Sequence, residues 1–257
     1  MKSIIALALL VPAVAFAASP FDGTWKLNLG SMKFSGAPDK WEIANGKYTC
    51  SSCAPSFTVT ADGSDQATPV HTGRDHIVVK VVSPTVVEVT NKAGGKATGT
   101  DTMTVSADGN TLTDKSTDYT GPKPVTFVST EKRVAPAAKG AHAVSGSWMT
   151  DAVPEMTEAA RIVVVTASAD GMKYSSNSRT LDAKFDGKEY AVQNDPTKSL
   201  VTMKRISDRQ VEERQKREGK IYDIVLWTVA ADGKSIAVTD EDPVHGTKTS
   251  YVLDKQP

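Results

Sequence analysis

The chain repeats itself, and that repetition limits the folds open to it more than any other feature. Gly23-Thr24-Trp25 returns as Gly146-Ser147-Trp148, and Ala61-Asp62-Gly63 returns as Phe185-Asp186-Gly187. Val78 to Ser83, centred on Lys80, corresponds to Thr202 to Ser207, centred on Lys204, and Phe127-Val128 to Tyr251-Val252. The stretch Thr104 to Leu112 comes back at Thr228 to Ile236 almost residue for residue. The spacing holds at about 124 residues throughout, so the copies are collinear. Each copy, of roughly 110 residues, is long enough to close a core of its own.

Between the copies, Ala135-Pro136-Ala137-Ala138-Lys139-Gly140-Ala141-His142-Ala143 is a small-residue stretch with Pro and Gly, which reads as a linker. The expected organisation is therefore a first domain over residues 19–134, a linker over 135–144 and a second domain over 145–257. Residues 1–18 form a separate segment. Lys2 precedes an apolar run from Ile4 to Phe16 that ends on Ala15-Phe16-Ala17, the order of a signal peptide cleaved after Ala17 or Ala18. That run is shorter than the ~20 residues a membrane helix needs, and no later segment is long and apolar enough to be one. The expectation is an exported protein, periplasmic or extracellular. Oligomeric state is not legible in the sequence.

Within each copy the pattern is that of β-strands. Val86 to Thr90 alternates in part, Ile77 to Val82 is rich in β-branched residues, and Ile162 to Thr166 is a short apolar run of the same kind. Asp-Gly recurs at Asp62, Asp108, Asp170, Asp186 and Asp232, with Asn45-Gly46 beside them, and such dipeptides supply the positive φ of tight hairpins. Arg209 to Lys220 carries helical i, i+4 charge pairs, Glu212 with Lys216 and Glu213 with Arg217. Its counterpart in the first copy, Thr85 to Lys96, is β-branched and turns at Gly94-Gly95, so the segment is read as a charged hairpin strand turning at Gly219. The fold class is all-β: two tandem antiparallel meanders, each with enough strands to close into a barrel and remove its exposed edges.

Phe21-Asp22-Gly23-Thr24-Trp25-Lys26-Leu27, with Lys132-Arg133 at the end of the copy, resembles the lipocalin and fatty-acid-binding-protein superfamily. The second copy repeats the feature as Gly146-Ser147-Trp148 and ends at Lys255. The resemblance implies that Trp25 and Trp148 close barrel floors with a basic residue of the last strand, Arg133 or Lys255, packed over each ring. The chain is also similar to secreted, lipocalin-like domains of bacterial envelopes, with an opening Gly-x-Trp, Asp-Gly hairpins and a late Ser-Ala-Asp-Gly turn. The Arg-x-Tyr pair with which fatty-acid-binding proteins hold a carboxylate has no counterpart in Lys248-Thr249-Ser250-Tyr251, so a fatty-acid ligand is not implied.

Cys50 and Cys53 are the two cysteines of the chain, and export would place them in an oxidising compartment. On an extended strand residues three apart stand ~10 Å from each other, so a disulfide requires a turn, which Ser51-Ser52 permits. The rival reading is zinc held by Cys50, Cys53, His71 and His76, a spacing close to Cys2His2 sites but with a long middle spacer. A redox role or covalent haem has less support, since no helix start follows and Ala54 stands where haem attachment needs His. Asp240-Glu241-Asp242 with His245 is a dense acidic group that ordinarily faces water. Trp25, Trp41, Trp148 and Trp227 are expected in the core or floors.

Thirty basic residues balance thirty acidic ones, so the broad positive field of a nucleic-acid binder is absent. No Gly-x-Ser-x-Gly elbow or His-Glu-x-x-His helix occurs, and neither a catalytic residue nor a cofactor is expected. The leading expectation is a non-enzymatic binding protein whose barrels could hold a small apolar or amphipathic molecule. The alternative is a structural or interaction module of the cell envelope with solid barrels and no ligand.

Overall fold

The computed structural model describes residues 19–71, 74–121, 123–177, 179–195, 197–217 and 219–257; the expected signal peptide lies outside them. In chain order the strands are β1 (Gly23–Gly36), β2 (Asp39–Ala44), β3 (Lys47–Cys50), β4 (Phe57–Thr60), β5 (Asp62–His71), β6 (Arg74–Ser83), β7 (Val86–Ala93), β8 (Lys96–Val105), β9 (Thr111–Asp118) and β10 (Val125–Ala135). The second half continues with β11 (Gly146–Met156), a 3₁₀ turn (Glu158–Arg161), β12 (Ile162–Ala167), β13 (Gly171–Ser176), β14 (Arg179–Lys184) and β15 (Tyr190–Ala191). The last strands are β16 (Leu200–Ser207), β17 (Gln210–Arg217), β18 (Lys220–Val229), β19 (Ser235–Asp242) and β20 (Thr247–Lys255).

All pairings are antiparallel, and the chain forms two nearly closed ten-stranded barrels, as the sequence predicts. The charged segment after Arg209 is β17, and it turns at Gly219 with φ of 77°. Gly46, Gly109, Gly187 and Gly233 all have positive φ. Asp62-Gly63 is not a hairpin tip: Gly63 lies within β5, where the register against β6 slips between Asp62 and Asp65.

The barrels are not the two contiguous segments that the repeat suggests. The first barrel runs β4-β3-β2-β11-β10-β9-β8-β7-β6-β5, and the second runs β14-β13-β12-β1-β20-β19-β18-β17-β16-β15. Each copy has given its opening strand to the other. β1 pairs with β12 and β20, whereas β11 pairs with β2 and β10. The expectation that residues 19–134 and 145–257 each close alone is therefore corrected by one strand in each direction.

The connection from β1 to β2 explains why. Only Ala37-Pro38 separates the two strands, and a two-residue hairpin needs positive φ in its loop, which Ala disfavours and Pro forbids. Unable to fold back onto β2, the chain runs on into the other barrel. Gly36 makes the crossing possible: its φ is 113°, and a Cβ there would lie 2.2 Å from the Gly246 carbonyl oxygen. Ala37 N–H donates to that same carbonyl at 3.0 Å.

The floors carry the Gly-x-Trp motif. Trp25 and Trp148 are both 0% exposed, and their indole N–H groups donate to the carbonyls of Phe21 (2.9 Å) and Val144 (2.8 Å). Gly23 and Gly146 have φ of 137° and 133°, and a Cβ on Gly146 would stand 2.5 Å from Arg133 Nη1. The basic residues cover the rings as expected, with partners exchanged: Arg133 lies 4.0 Å over Trp148 and Lys255 lies 5.1 Å over Trp25.

The stretch expected to be a free linker also belongs to a floor. Val144 and Ser145 are buried, Ser145 Oγ accepts from the Ile43 N–H at 2.8 Å, and His142 N–H donates to the Ile43 carbonyl at 2.9 Å. Small side chains there let the segment lie flat beneath the first barrel. Phe21 serves the second barrel in the equivalent place.

Candidate functional site

Each barrel is packed solid in its lower half and polar in its upper half. Above Trp148 the first barrel is filled by side chains such as Leu112, Val79, Val87 and Val105, and above Trp25 the second is filled by Leu181, Ile236, Leu253 and Val229. Toward the opposite ends the inward positions change character. On β8 the inward series Val105, Met103 continues to Asp101, on β9 Leu112 is followed by Asp114 and Ser116, and on β17 Val211 is followed by Glu213.

These polar ends face one another. The first barrel contains a cavity of about 280 Å³ lined by Trp41, Tyr48, Arg74, Asp101 and Asp114 among others, and His245 reaches it from the β19–β20 turn of the second barrel. The second contains one of about 240 Å³ with Tyr174, Arg179, Ser199, Arg217 and Tyr222 in its wall, and Asp118 reaches it from the first barrel. A third of about 350 Å³ lies between them. It shares Arg74, Asn91 and Asp101 with the first cavity and Asp118 and Arg179 with the second. The three adjoin through these shared walls as a polar chamber at the junction, the third being an open groove, and Arg179 Nη2 donates across it to Thr120 Oγ1 at 3.1 Å.

In the first barrel the carboxyl groups crowd. Asp101 accepts from Ser116 Oγ at 2.7 Å and from Asn91 Nδ2 at 3.2 Å, while Asp114 accepts from Ser116 at 3.2 Å. Burial, and then the neighbouring Asp101, push Asp114 up to about 7. Glu131, only 5% exposed, rises to about 8 through burial and the charges of Asp39 and Asp114. Asp114 Oδ1 and Glu131 Oε2 are buried without a hydrogen-bond partner. One guanidinium faces this group: Arg74 is 4.6 Å over the Phe57 ring and donates to Asn91 Oδ1 at 3.3 Å.

In the second barrel Glu213, 0% exposed, accepts from Tyr174 O–H and Gln215 Nε2, each at 2.9 Å. Burial pushes it to about 7, and its Oε2 has no partner. Asp223 is held well above the usual carboxylate range by burial and the adjacent Asp240. Arg217 stacks 3.7 Å over Tyr222, whose hydroxyl bonds Gln215 Oε1 at 2.6 Å and Ser199 Oγ at 3.0 Å.

Cys50 and Cys53 are joined in a disulfide, with Cα atoms 5.5 Å apart where the chain bends after β3. The bond consumes both sulfurs, so the zinc alternative with His71 and His76 is corrected. The His71 side chain lies outside the described residues, and His76 Nδ1 pairs with Asp75 at 3.0 Å. Among the described residues no three His, Cys, Asp or Glu side chains converge as metal ligands do. The acidic run on β19 splits: Glu241 faces out to Lys248 (2.8 Å), Asp242 holds His245 in the turn (2.5 Å), and Asp240 lies inward near Asp223. Trp227 is in the core, and Trp41 packs partly buried against the core of the first barrel while also lining its cavity.

The interior acids Asp101, Asp114, Glu131 and Glu213 escaped sequence reasoning. Their signal was available in the strand phase, since each occupies an inward position two residues from a buried apolar or floor residue. Comparison of the chain with protein-family models, with curated proteins and with solved structures found no match. Two nearly closed barrels meeting at a polar chamber is an arrangement compatible with a binding module.

Proposed function

We propose that the protein is an exported, non-enzymatic binding protein, and that it holds one small amphipathic molecule in the chamber where the two barrels meet. The observation that carries the reading is that the three cavities adjoin at walls shared through Arg74, Asn91, Asp101, Asp118 and Arg179. The cavities inside the barrels, about 240 and 280 Å³, are each just below the lower bound of small-molecule sites, about 300 Å³, and the groove that adjoins both, about 350 Å³, lies above it, so a ligand lying across them has room. A wholly apolar ligand suits this wall poorly, because buried carboxyls and guanidinium groups would be left facing hydrocarbon. An amphipathic one can set its polar atoms on them and its apolar part against Trp41, Ile77, Val89 and Met103. The carboxyls are held by Ser116, Asn91 and Tyr174, an arrangement suited to receiving hydrogen-bond donors.

Export is supported by the order of features in residues 1–18 and by a disulfide of the kind that persists in oxidising compartments. The test is native mass spectrometry of protein recovered from the exported fraction, repeated after denaturation. A small-molecule adduct lost on denaturation, on a chain beginning at Ala18 or Ser19, is the expected result. A bare mass would overturn the binding reading and leave the envelope structural module in its place. A chain retaining residues 1–17 would overturn cleavage.

A further inference from the structure

We infer that the second barrel's part of the chamber receives a carboxylate of the ligand, seated on the guanidinium groups of Arg179 and Arg217. This rests on the binding reading and specifies the chemistry of its ligand. Both arginines line the cavity of about 240 Å³, with Ser176, Asn177 and Gln215 beside them. They reach it from the two sides of the barrel's seam. Arg179 opens β14 on one side, and Arg217 ends β17, two strands in from β15 on the other. Across the seam itself Thr180 pairs with Gln193.

Each guanidinium is held in place without being neutralised. Arg217 stacks 3.7 Å over Tyr222 and donates from Nε to Ser199 Oγ at 3.1 Å, and the Ser199 N–H donates to Asp195 at 2.9 Å. Arg179 donates from Nη2 to Thr120 Oγ1 at 3.1 Å, and that hydroxyl donates to Asp118 at 2.5 Å. The two acids of the cavity wall are spent on these hydroxyl residues and their loops: Asp195 also accepts from Thr197 Oγ1, and Asp118 from the Thr120 N–H. Glu213, 0% exposed, is spent on Tyr174 and Gln215. Among the described residues neither arginine has a carboxylate partner, whereas Arg161, Arg205 and Arg214 each pair with one.

The independent sign is that the remaining N–H groups are accessible. Arg217 Nη1 and Nη2 and Arg179 Nε and Nη1 bond no described residue, and unlike Arg74 Nε none of them is sealed from solvent. A guanidinium fixed by part of its fork, with the other donors open to a cavity, can take both oxygens of a carboxylate in charge-assisted hydrogen bonds. A phosphate dianion suits the wall less, because Asp118 and Asp195 stand in it, and a cation would meet two guanidinium charges whose nearest acids are already engaged. The apolar part of the ligand then has the groove past Phe127, towards Trp41 and Met103, to lie in.

The experiment is calorimetric titration of the whole protein with hexanoate, against hexanol, hexylamine and hexyl phosphate. Hexanoate should bind more tightly than each of the others by roughly tenfold or more. Arg179→Gln and Arg217→Gln should each weaken it by a similar factor, while Arg209→Gln, exposed in the turn between β16 and β17, changes nothing. Arg179→Gln gives up a single hydrogen bond, so it decides the matter should the Arg217 variant fail to fold. Absence of hexanoate binding, preference for any of the other three probes, or an affinity unchanged in Arg179→Gln would overturn the inference. An uncharged or cationic molecule released from the native protein would do the same while leaving the chamber reading intact. A bare native mass would remove that reading itself.

Discussion

The two barrels share a ladder but not the strands that bear its acids. In the first, Val89 on β7, Asp101 on β8 and Ser116 on β9 stand in register across three neighbouring strands. In the second the equivalent row is Glu213, Val225 and Asp240. Both rows bury carboxyl chemistry at one level above an apolar floor, yet the acid has moved from the middle strand to the flanking ones. The floors differ in a parallel way. Arg133 donates to three carbonyls, those of Gly109, Ser145 and Ala143 at 2.6, 2.6 and 2.7 Å, as well as covering Trp148. The ammonium of Lys255 lies over Trp25, and Ser19-Pro20-Phe21-Asp22 closes the second floor by a shorter path. What repeats is the scaffold, and what varies is the polar chemistry on it.

The strand exchange gives the sharpest way to break this comparison. Trp25→Ala should cost about 3–5 kcal/mol, the range for emptying a fully buried aromatic site, and so should Trp148→Ala. The location of the damage is the decisive reading. Hydrogen exchange should show Trp25→Ala deprotecting β12 to β20, far along the chain from the substitution, and Trp148→Ala deprotecting β2 to β10. Loss of protection around β2 to β10 in the Trp25 variant would mean that each copy keeps its own first strand.

The floors come next. Arg133→Ala should lower stability by about 2–3 kcal/mol, because it leaves three part-buried carbonyls short of a donor as well as removing the ring contact. Arg133→Lys should recover little of that, since an ammonium cannot serve three acceptors spread around a planar fork. Lys255→Ala should cost about 1 kcal/mol or less, the scale of one cation–π contact. Equal shifts in the urea midpoint for the two alanine variants would remove the asymmetry between the floors.

The interior acids separate the barrels by pH. Glu131 is raised from 4.5 in the unfolded chain to about 8 when folded, so the native state binds the extra proton. Its stability contribution is intact below the unfolded value and is lost as pH rises through the folded one. Glu213, raised to about 7, behaves alike over a narrower window. The protein should therefore be more stable at pH 5 than at pH 8.5. Glu131→Gln should regain about 2 kcal/mol at pH 8.5 and nothing at pH 4, because the amide carries no charge to desolvate. Unfolding of both Gln variants across that range would show the Glu213 gain complete at lower pH; coincident profiles would contradict the order.

Much of this architecture is legible in the sequence, and the parts that are not have identifiable causes. The repeat, the hairpin glycines and the Gly-x-Trp openings lead to two antiparallel barrels with Trp25, Trp148, Arg133 and Lys255 at their floors. The exchange of β1 and β11 is hidden because the two strands open on the same Gly-x-Trp motif, which would satisfy the floor of either barrel. Its one trace is Ala37-Pro38, a connection unable to make the hairpin that a contiguous barrel requires. The chamber is hidden for a different reason. Asp101, Asp114, Glu131 and Glu213 are ordinary charged residues when read singly, and only the two-residue phase of their strands turns them inward.

The disulfide is the feature that the first barrel has and the second lacks, and its effect should be the smallest. Closing so short a loop restricts the unfolded chain by only about 1–2 kcal/mol in the chain-entropy description. Cys50→Ser with Cys53→Ser should lower the melting temperature by a few degrees, on the scale of about 2–4 °C per kcal/mol for a chain of this size. The change should stay local. Ser52 Oγ donates to Asp39 at 3.3 Å and accepts from the Lys40 N–H at 2.9 Å, so loosening the loop frees one wall of the first cavity without touching β12 to β20. Exchange should quicken over residues 39–57 alone. If the double variant also loosened the second barrel, β1 and β11 would be transmitting strain between the barrels, and the two could no longer be treated as separately stable scaffolds.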